Sequence, residues 1–296
     1  MRPSASGRPA PLRGRAAAFC LVALTCLAGC APAPAAPVPA GPSRTRTVAV
    51  HADGDRTAIV HRSASAAAGA PLVVVLHGAR GTAADMHANL GWDALADREG
   101  LVVAYPDGLD RTWNAGGCCG PARDRGVDDV GFLDSLVATL RRDDAVGPVY
   151  AVGFSNGAMM SYAWACVRPG TLAGIGPVAG ALTVDCPAPA PLTVVAVHGT
   201  RDERVPIGGG RGPSGVDFPS LDASLTPFRT AAACPATGAV VDTAPARVDE
   251  RACDGRAVVS DVVDGLPHVW PGAGPDAGRT DGPLDATGFL WAHLHG

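Results

Sequence analysis

The sequence predicts an α/β fold: a mainly parallel central sheet with helices on both faces. Three observations predict it. Apolar, β-branched runs such as 71–76 (PLVVVL) and 101–104 are continuous rather than alternating, as in strands buried on both faces. Between such runs lie stretches of helical period, so strands and helices alternate along the chain. At 149–160 an apolar run passes through Gly153, Ser155 and Gly157 into a helical pattern carried by Met159, Tyr162, Ala163 and Cys166. That is a strand, a sharp turn and a helix, the setting in which a G-x-S-x-G serine is pushed out at the tip of a sheet.

Taken in order, 47–51 and 57–61 read as two strands joined at Asp53-Gly54, a common hairpin pair. The buried strand 71–76 runs into His77-Gly78-Ala79-Arg80-Gly81. One helix is expected over 83–98, then a strand at 101–104. After Tyr105-Pro-Asp-Gly108, to about Val127, there is no periodicity and the chain is loaded with Gly, Pro and Asp; so long a loop in a compact domain is usually functional. Asp128 or Asp129 caps a helix with Val130, Leu133, Leu136, Val137 and Leu140 on one face. After the Ser155 turn and its helix come strands at 173–182 and 192–197, a helix near 220–233, a strand at 257–263 and a closing helix from Asp285.

The N-terminus reads as an address. Arg2, Arg8, Arg13 and Arg15 precede thirteen mostly apolar residues, 16–28, too few to span a bilayer and right for a secretory signal. The signal ends Leu27-Ala28-Gly29-Cys30, which resembles the lipobox of bacterial lipoproteins; an ordinary signal cut just beyond is the alternative. The expected organisation is a signal peptide over 1–29, a Pro/Ala-rich tether over 30–45 with Cys30 lipidated, and one catalytic domain over 46–296. Net charge is -4, and beyond residue 29 the 20 arginines face 28 acids, which leaves -8. Such a surface has no electrostatic reason to hold nucleic acid or an anionic membrane, so membrane contact is expected only through the lipid, and a monomer is expected.

Export changes the meaning of cysteine. Six remain after Cys30: Cys118, Cys119, Cys166, Cys186, Cys234 and Cys253. An even count in an oxidising compartment points to disulfides, and Cys234 with Cys253 is the expected pair because they flank one short excursion between a helix and a strand. No C-x-x-C or H-x-x-x-H spacing is present, so no metal is expected.

A serine in this setting needs a base and an orienting acid, in the chain order Ser, acid, His. Among the later histidines, His293 and His295 fall on the terminal helix, where a solvated position accounts for them. His268 falls in a turn-rich loop directly after a strand, where a base can reach a neighbouring strand's serine. Asp202, a few residues beyond the strand at 192–197, is the expected acid, with Glu203 as competitor. For an oxyanion, one N–H is expected from Asn156 and the other from Ala79 or its neighbour Gly78. His77 is read as bracing its loop and His198 as supporting a strand end. Trp270, Trp113 and Asn114 are the expected substrate-facing groups, with core packing as the alternative for each tryptophan.

The ordered set Leu76-His-Gly, Tyr-Pro-Asp-Gly108, Trp113 with Cys118-Cys119, Asp128-Asp-Val-Gly-Phe132, Gly153-Phe-Ser-Asn-Gly157, His198-Gly-Thr-x-Asp202 and His268-x-Trp-Pro-Gly272 is similar to one esterase family. That family includes polyhydroxybutyrate depolymerases and feruloyl or acetylxylan esterases. The resemblance spans roughly 45–295. It implies an α/β-hydrolase fold and a Ser155, Asp202, His268 triad. One departure stands out: glycines usually precede the base, whereas here Leu266-Pro267 does, which changes the approach to His268.

The expected function is an exported serine carboxylic-ester hydrolase working through an acyl-enzyme without cofactors. Its substrate would be a hydroxyalkanoate oligomer or an ester of plant-cell-wall type. Peptidase or acyltransferase chemistry on the same triad, and a catalytically silent binding lipoprotein, are the competing readings.

Overall fold

The computed structural model describes residues 42–51, 55–213, 215–274 and 285–295. The expected signal peptide, Cys30 and the Asp53-Gly54 turn lie outside the described residues. Strands β1 (Arg44–His51) and β2 (Asp55–Arg62) pair antiparallel. Arg44 and Thr45, read as tether, belong to β1 instead: both pair across to β2, and Arg44 and Arg46 reach the buried carboxylate of Asp144.

The centre of the sheet is parallel. Strands β3 (Leu72–Leu76), β4 (Val102–Pro106), β5 (Val149–Phe154), β6 (Gly174–Val178), β7 (Thr193–Gly199) and β12 (Arg256–Val263) lie in the order β4, β3, β5, β6, β7, β12. Every neighbouring pair among them runs parallel. The β1–β2 hairpin extends one edge antiparallel. The other edge is extended by β11 (Ala246–Cys253) and β10 (Ala239–Thr243), strands the sequence reading did not anticipate. Two-residue strands β8 (Gly210–Arg211) and β9 (Asp217–Phe218) form a separate ribbon.

Helices α1 (Ala83–Asn89), α2 (Trp92–Glu99) and α7 (Ala286–Leu294) cover one face of the sheet, burying Trp92, Leu95, Leu290 and Trp291. Helices α4 (Asp129–Asp144), α5 (Asn156–Val167) and α6 (Leu221–Ala231) cover the other, burying Leu133, Leu136, Tyr162 and Phe228. This is the expected α/β layering. Asp128 caps α4 by accepting from Gly131 N–H at 2.8 Å. The single helix expected over 83–98 is two, because Gly91 adopts φ 71° between α1 and α2 while Leu90 turns into the core. The strand expected over 173–182 stops at Val178; beyond it Ala179 has φ 51° and the chain leaves the sheet.

The long loop after β4 contains a 3₁₀ turn, Leu109–Arg111, and the short helix α3 (Gly120–Asp124). Disulfides join Cys234 to Cys253, Cys166 to Cys186, and the adjacent Cys118 and Cys119.

Candidate active site

Ser155 occupies the junction of β5 and α5 with φ 55° and ψ −115°. Its own N–H donates to the Val178 carbonyl at 2.9 Å, which fixes the turn to the neighbouring strand. The flanking glycines are required by contact. A Cβ on Gly157 would collide with the Leu76 and His77 carbonyls, and one on Gly153 with the backbone of Gly157. The helix is thereby drawn against the end of β3.

β7 and β12 are parallel neighbours, with Gly199 beside Val263, and the loops that follow them are laced together. Thr200 N–H donates to the Val263 carbonyl at 3.0 Å, and Arg201 N–H to the Leu266 carbonyl at 3.1 Å. Thr200 Oγ1 donates to Asp264 at 2.8 Å and accepts from Gly265 N–H at 2.9 Å. This lacing, rather than preceding glycines, sets the pitch of the loop that carries Pro267 and His268.

The outcome is a continuous chain of three side chains from three strand ends. Ser155 Oγ lies 2.9 Å from His268 Nε2, and His268 Nδ1 lies 2.7 Å from Asp202 Oδ2. Next to a carboxylate, Nδ1 carries the proton and Nε2 is left to accept the serine hydrogen. Asp202 Oδ1 accepts from the Arg204 and Val205 N–H groups, each at 2.9 Å. Burial pushes the Asp202 carboxyl up, but hydrogen bonds from His198, His268 and Val205 outweigh it and hold the group well below the usual carboxylate range. Such an arrangement can take a proton from Ser155 and stabilise the resulting imidazolium. Glu203, the competing acid, is exposed; Asp202 carries the contact to His268.

The loop after β3 is braced as well. Buried His77 accepts from Gly108 N–H at Nε2 (2.8 Å), so Nδ1 is the donor to the Gly78 carbonyl (2.9 Å). Burial lowers the His77 pKa, which favours this neutral form. Gly78 adjoins the serine: a Cβ built on it would stand 3.4 Å from Ser155 Cβ. Asn156 opens α5, where a helix leaves its first N–H groups free of intrahelical partners.

Two substrate-facing expectations are corrected. Trp113 is fully buried, its indole N–H donating to the His77 carbonyl at 2.9 Å while its ring stacks on Phe132. Asn114 is spent on its own loop: Nδ2 donates to the Val127 carbonyl at 2.9 Å and its N–H donates to Asp129 at 2.6 Å. Trp270 is different. Although 6 % exposed and tied through Nε1 to Thr287 at 3.3 Å, it lines a cavity of about 600 Å³ beside His268. Met86, Leu90, Phe154, Leu266 and Val269 complete the apolar wall. Sequence reasoning missed Met86, Phe154 and Leu266, which a periodic or turn pattern does not distinguish from core. Among the described residues no group of three or more His, Cys, Asp or Glu side chains is placed to hold a metal ion.

No protein-family model matches the chain. NocK of Nocardia uniformis subsp. tsuyamanensis, provisionally named an esterase, is 34% identical over 175 residues, 56% of this chain and 48% of that protein. Feruloyl esterase B of Piromyces equi is 29% identical over 153 residues, 48% of this chain and 28% of its own length. Poly(3-hydroxyalkanoate) depolymerase C of Paucimonas lemoignei is 34% identical over 121 residues, 38% of this chain and 28% of its own. The chain thus spans about half, or less, of the length of these relatives. Among solved structures, acetyl xylan esterase from Aspergillus awamori superposes with TM-score 0.57 at 15% identity, covering 82% of this chain and 99% of that one. Esterase PE8 superposes with TM-score 0.50 at 20% identity, covering 86% and 100%. The sheet order and these superpositions are those of the α/β-hydrolase fold.

Proposed function

We propose that this α/β-hydrolase-fold chain, whose curated relatives are named esterases and a polyhydroxyalkanoate depolymerase, is a serine carboxylic-ester hydrolase. The observation that carries the reading is the hydrogen-bonded series Ser155, His268, Asp202, at 2.9 and 2.7 Å, beside an open apolar cavity. Ser155 Oγ attacks the ester carbonyl while His268 Nε2 takes its proton. The imidazolium, held by Asp202, returns that proton to the leaving alcohol. Water, deprotonated by the same nitrogen, then releases the acid from the acyl-enzyme.

The oxyanion is held by Asn156 N–H and by an N–H of the loop after β3. Ala79 is favoured over Gly78, because the Gly78 carbonyl is turned toward His77 Nδ1 and Gly81 N–H, and a trans peptide points the Ala79 N–H the opposite way. Each such donor contributes about 2.7 to 4 kcal/mol to the transition state. Trp270 and the apolar wall receive one half of the ester, which suits the feruloyl or hydroxyalkanoyl esters named by the relatives.

The protein is exported, with the N-terminal Arg-rich and apolar segment as signal, Cys30 as lipid attachment, and the catalytic domain starting at β1. Three disulfides among the described cysteines support an oxidising compartment.

The test is hydrolysis of a short-chain p-nitrophenyl ester, a hydroxybutyrate oligomer, methyl ferulate and acetylated xylan, each with Ser155→Ala as control. Loss of about a millionfold is expected. Activity within tenfold of the starting protein in the alanine variant sinks the assignment, and turnover of amides alone moves it to a peptidase.

A further inference from the structure

We propose that Trp113 and the side chain of Asn156 are positioning residues that lock the two halves of the oxyanion site to each other. The inference rests on the ester-hydrolase reading above. Asn156 is 1 % exposed and its amide closes on the backbone of Trp113 from both sides. Oδ1 accepts the Trp113 N–H at 2.8 Å, and Nδ2 donates to the Trp113 carbonyl at 3.0 Å. A residue on the elbow is thus clamped to a residue in the long loop after β4, 43 positions away in sequence.

Trp113 carries the connection onward. Its indole N–H donates to the His77 carbonyl at 2.9 Å, and the His77 ring donates to the Gly78 carbonyl at 2.9 Å. These two carbonyls belong to consecutive peptide planes. In a planar trans peptide, holding the carbonyl holds the N–H on its far side. The first plane therefore orients Gly78 N–H and the second orients Ala79 N–H, the two candidates for the donor opposite Asn156. One buried tryptophan thereby joins the elbow donor to the loop donor. All three residues are buried, and Trp113 and His77 lie ring to ring with centroids 4.9 Å apart. In so dry a network each bond is strengthened and each broken one is costly.

Neither side chain touches the reacting atoms, so the effect falls on the transition state and not on substrate binding. Two substitutions each remove one link, the first without loss of volume. Asn156→Asp replaces the Nδ2 donor with an oxygen facing the Trp113 carbonyl. Trp113→Phe removes the indole N–H, at the cost of a smaller ring in the same buried site. We expect each to lower kcat on a p-nitrophenyl ester by tenfold or more, with KM within twofold and with phenylboronic acid, a tetrahedral mimic, bound more weakly in parallel.

The double variant should fall less than threefold below the worse single, because the links act in series. Should Asn156→Asp fail to fold, Asn156→Ser removes the same clamp at smaller size. Variants whose kcat stays within threefold of the starting protein, or whose losses multiply in the double variant, overturn the proposal. A fall in melting temperature with kcat and boronate affinity unchanged shows a role in stability alone and also overturns it. If the starting protein hydrolyses no ester, the ester-hydrolase reading falls and this inference with it.

Discussion

The buried imidazole of His198 stands 2.8 Å from the Val205 carbonyl and 3.4 Å from Asp202 Oδ2, beneath the carboxylate that His268 contacts. His198 is therefore part of what keeps Asp202 ionised. Because the folded pKa of Asp202 lies below its ordinary value, the carboxylate contributes stability above that value and loses it as the pH falls. His198→Phe should raise the Asp202 pKa, and acid unfolding followed by circular dichroism should begin at higher pH. An unchanged acid midpoint would show that His198 does not hold the charge.

Asp202→Asn should leave the chain folded and cost about ten-thousandfold in kcat, since an amide facing His268 Nδ1 favours the tautomer with no free Nε2 acceptor. Steady-state kinetics on a soluble ester checks this; a loss under tenfold would remove Asp202 from the mechanism.

Asp261 sits on β12, 5 % exposed, and its Oδ1 finds no hydrogen-bond partner among the described residues. Burial pushes its carboxyl up to about 6, against the pull of His293. A raised folded pKa means that stability present at low pH is lost as the pH rises through about 6. Asp261→Asn should stabilise the protein at pH 8, by up to about 3 kcal/mol at 1.36 kcal/mol per unit, and not at pH 4. Urea unfolding at the two pH values measures it, and equal effects at both would contradict the assignment.

Gly157→Ala would force a Cβ into the Leu76 and His77 carbonyls. Overpacking of this kind typically costs about 1 to 3 kcal/mol, and here it also displaces a carbonyl that orients the loop after β3. Thermal melting should show the loss, and the folded fraction should have a reduced kcat. A variant with wild-type melting and turnover would mean that the elbow yields where the contacts say it cannot.

Cys234–Cys253 closes a loop that contains β10, all five of whose residues are exposed, and β11. Little buried apolar surface holds this edge, so the bridge matters. Cys253→Ser should cost about 3 kcal/mol and open residues 236–253 to protease. Unchanged melting and cleavage kinetics would show that strand pairing alone is enough.

The Ser155 turn was legible because a sharp turn leaves a local mark: Gly153 and Gly157 sit where any side chain would strike backbone. His268 and Asp202 stood out by elimination, since chain order and position after a strand leave few candidates, and folding brings both to Ser155. Trp113 was not. A tryptophan in an unpatterned loop reads alike whether it faces a cavity or fills one, and its burial depends on His77, Phe132 and Asn156, distant in sequence. Strands β10 and β11 escaped because an exposed edge carries no hydrophobic period. The break at Gly91 escaped the helical period of 83–98, because what splits the helix is Leu90 turning into the core.

Local chemistry, then, was written in residue order: the alternation that makes the sheet, the glycines that free the serine, and the residues proposed as base and acid. Contacts between segments far apart in the chain were decided only on folding. The lacing of the loops after β7 and β12 aims His268 at Ser155, and the clamp of Asn156 on Trp113 orders the backbone around it. Periodicity reports on neighbours within a few residues, whereas these contacts depend on which strands lie side by side.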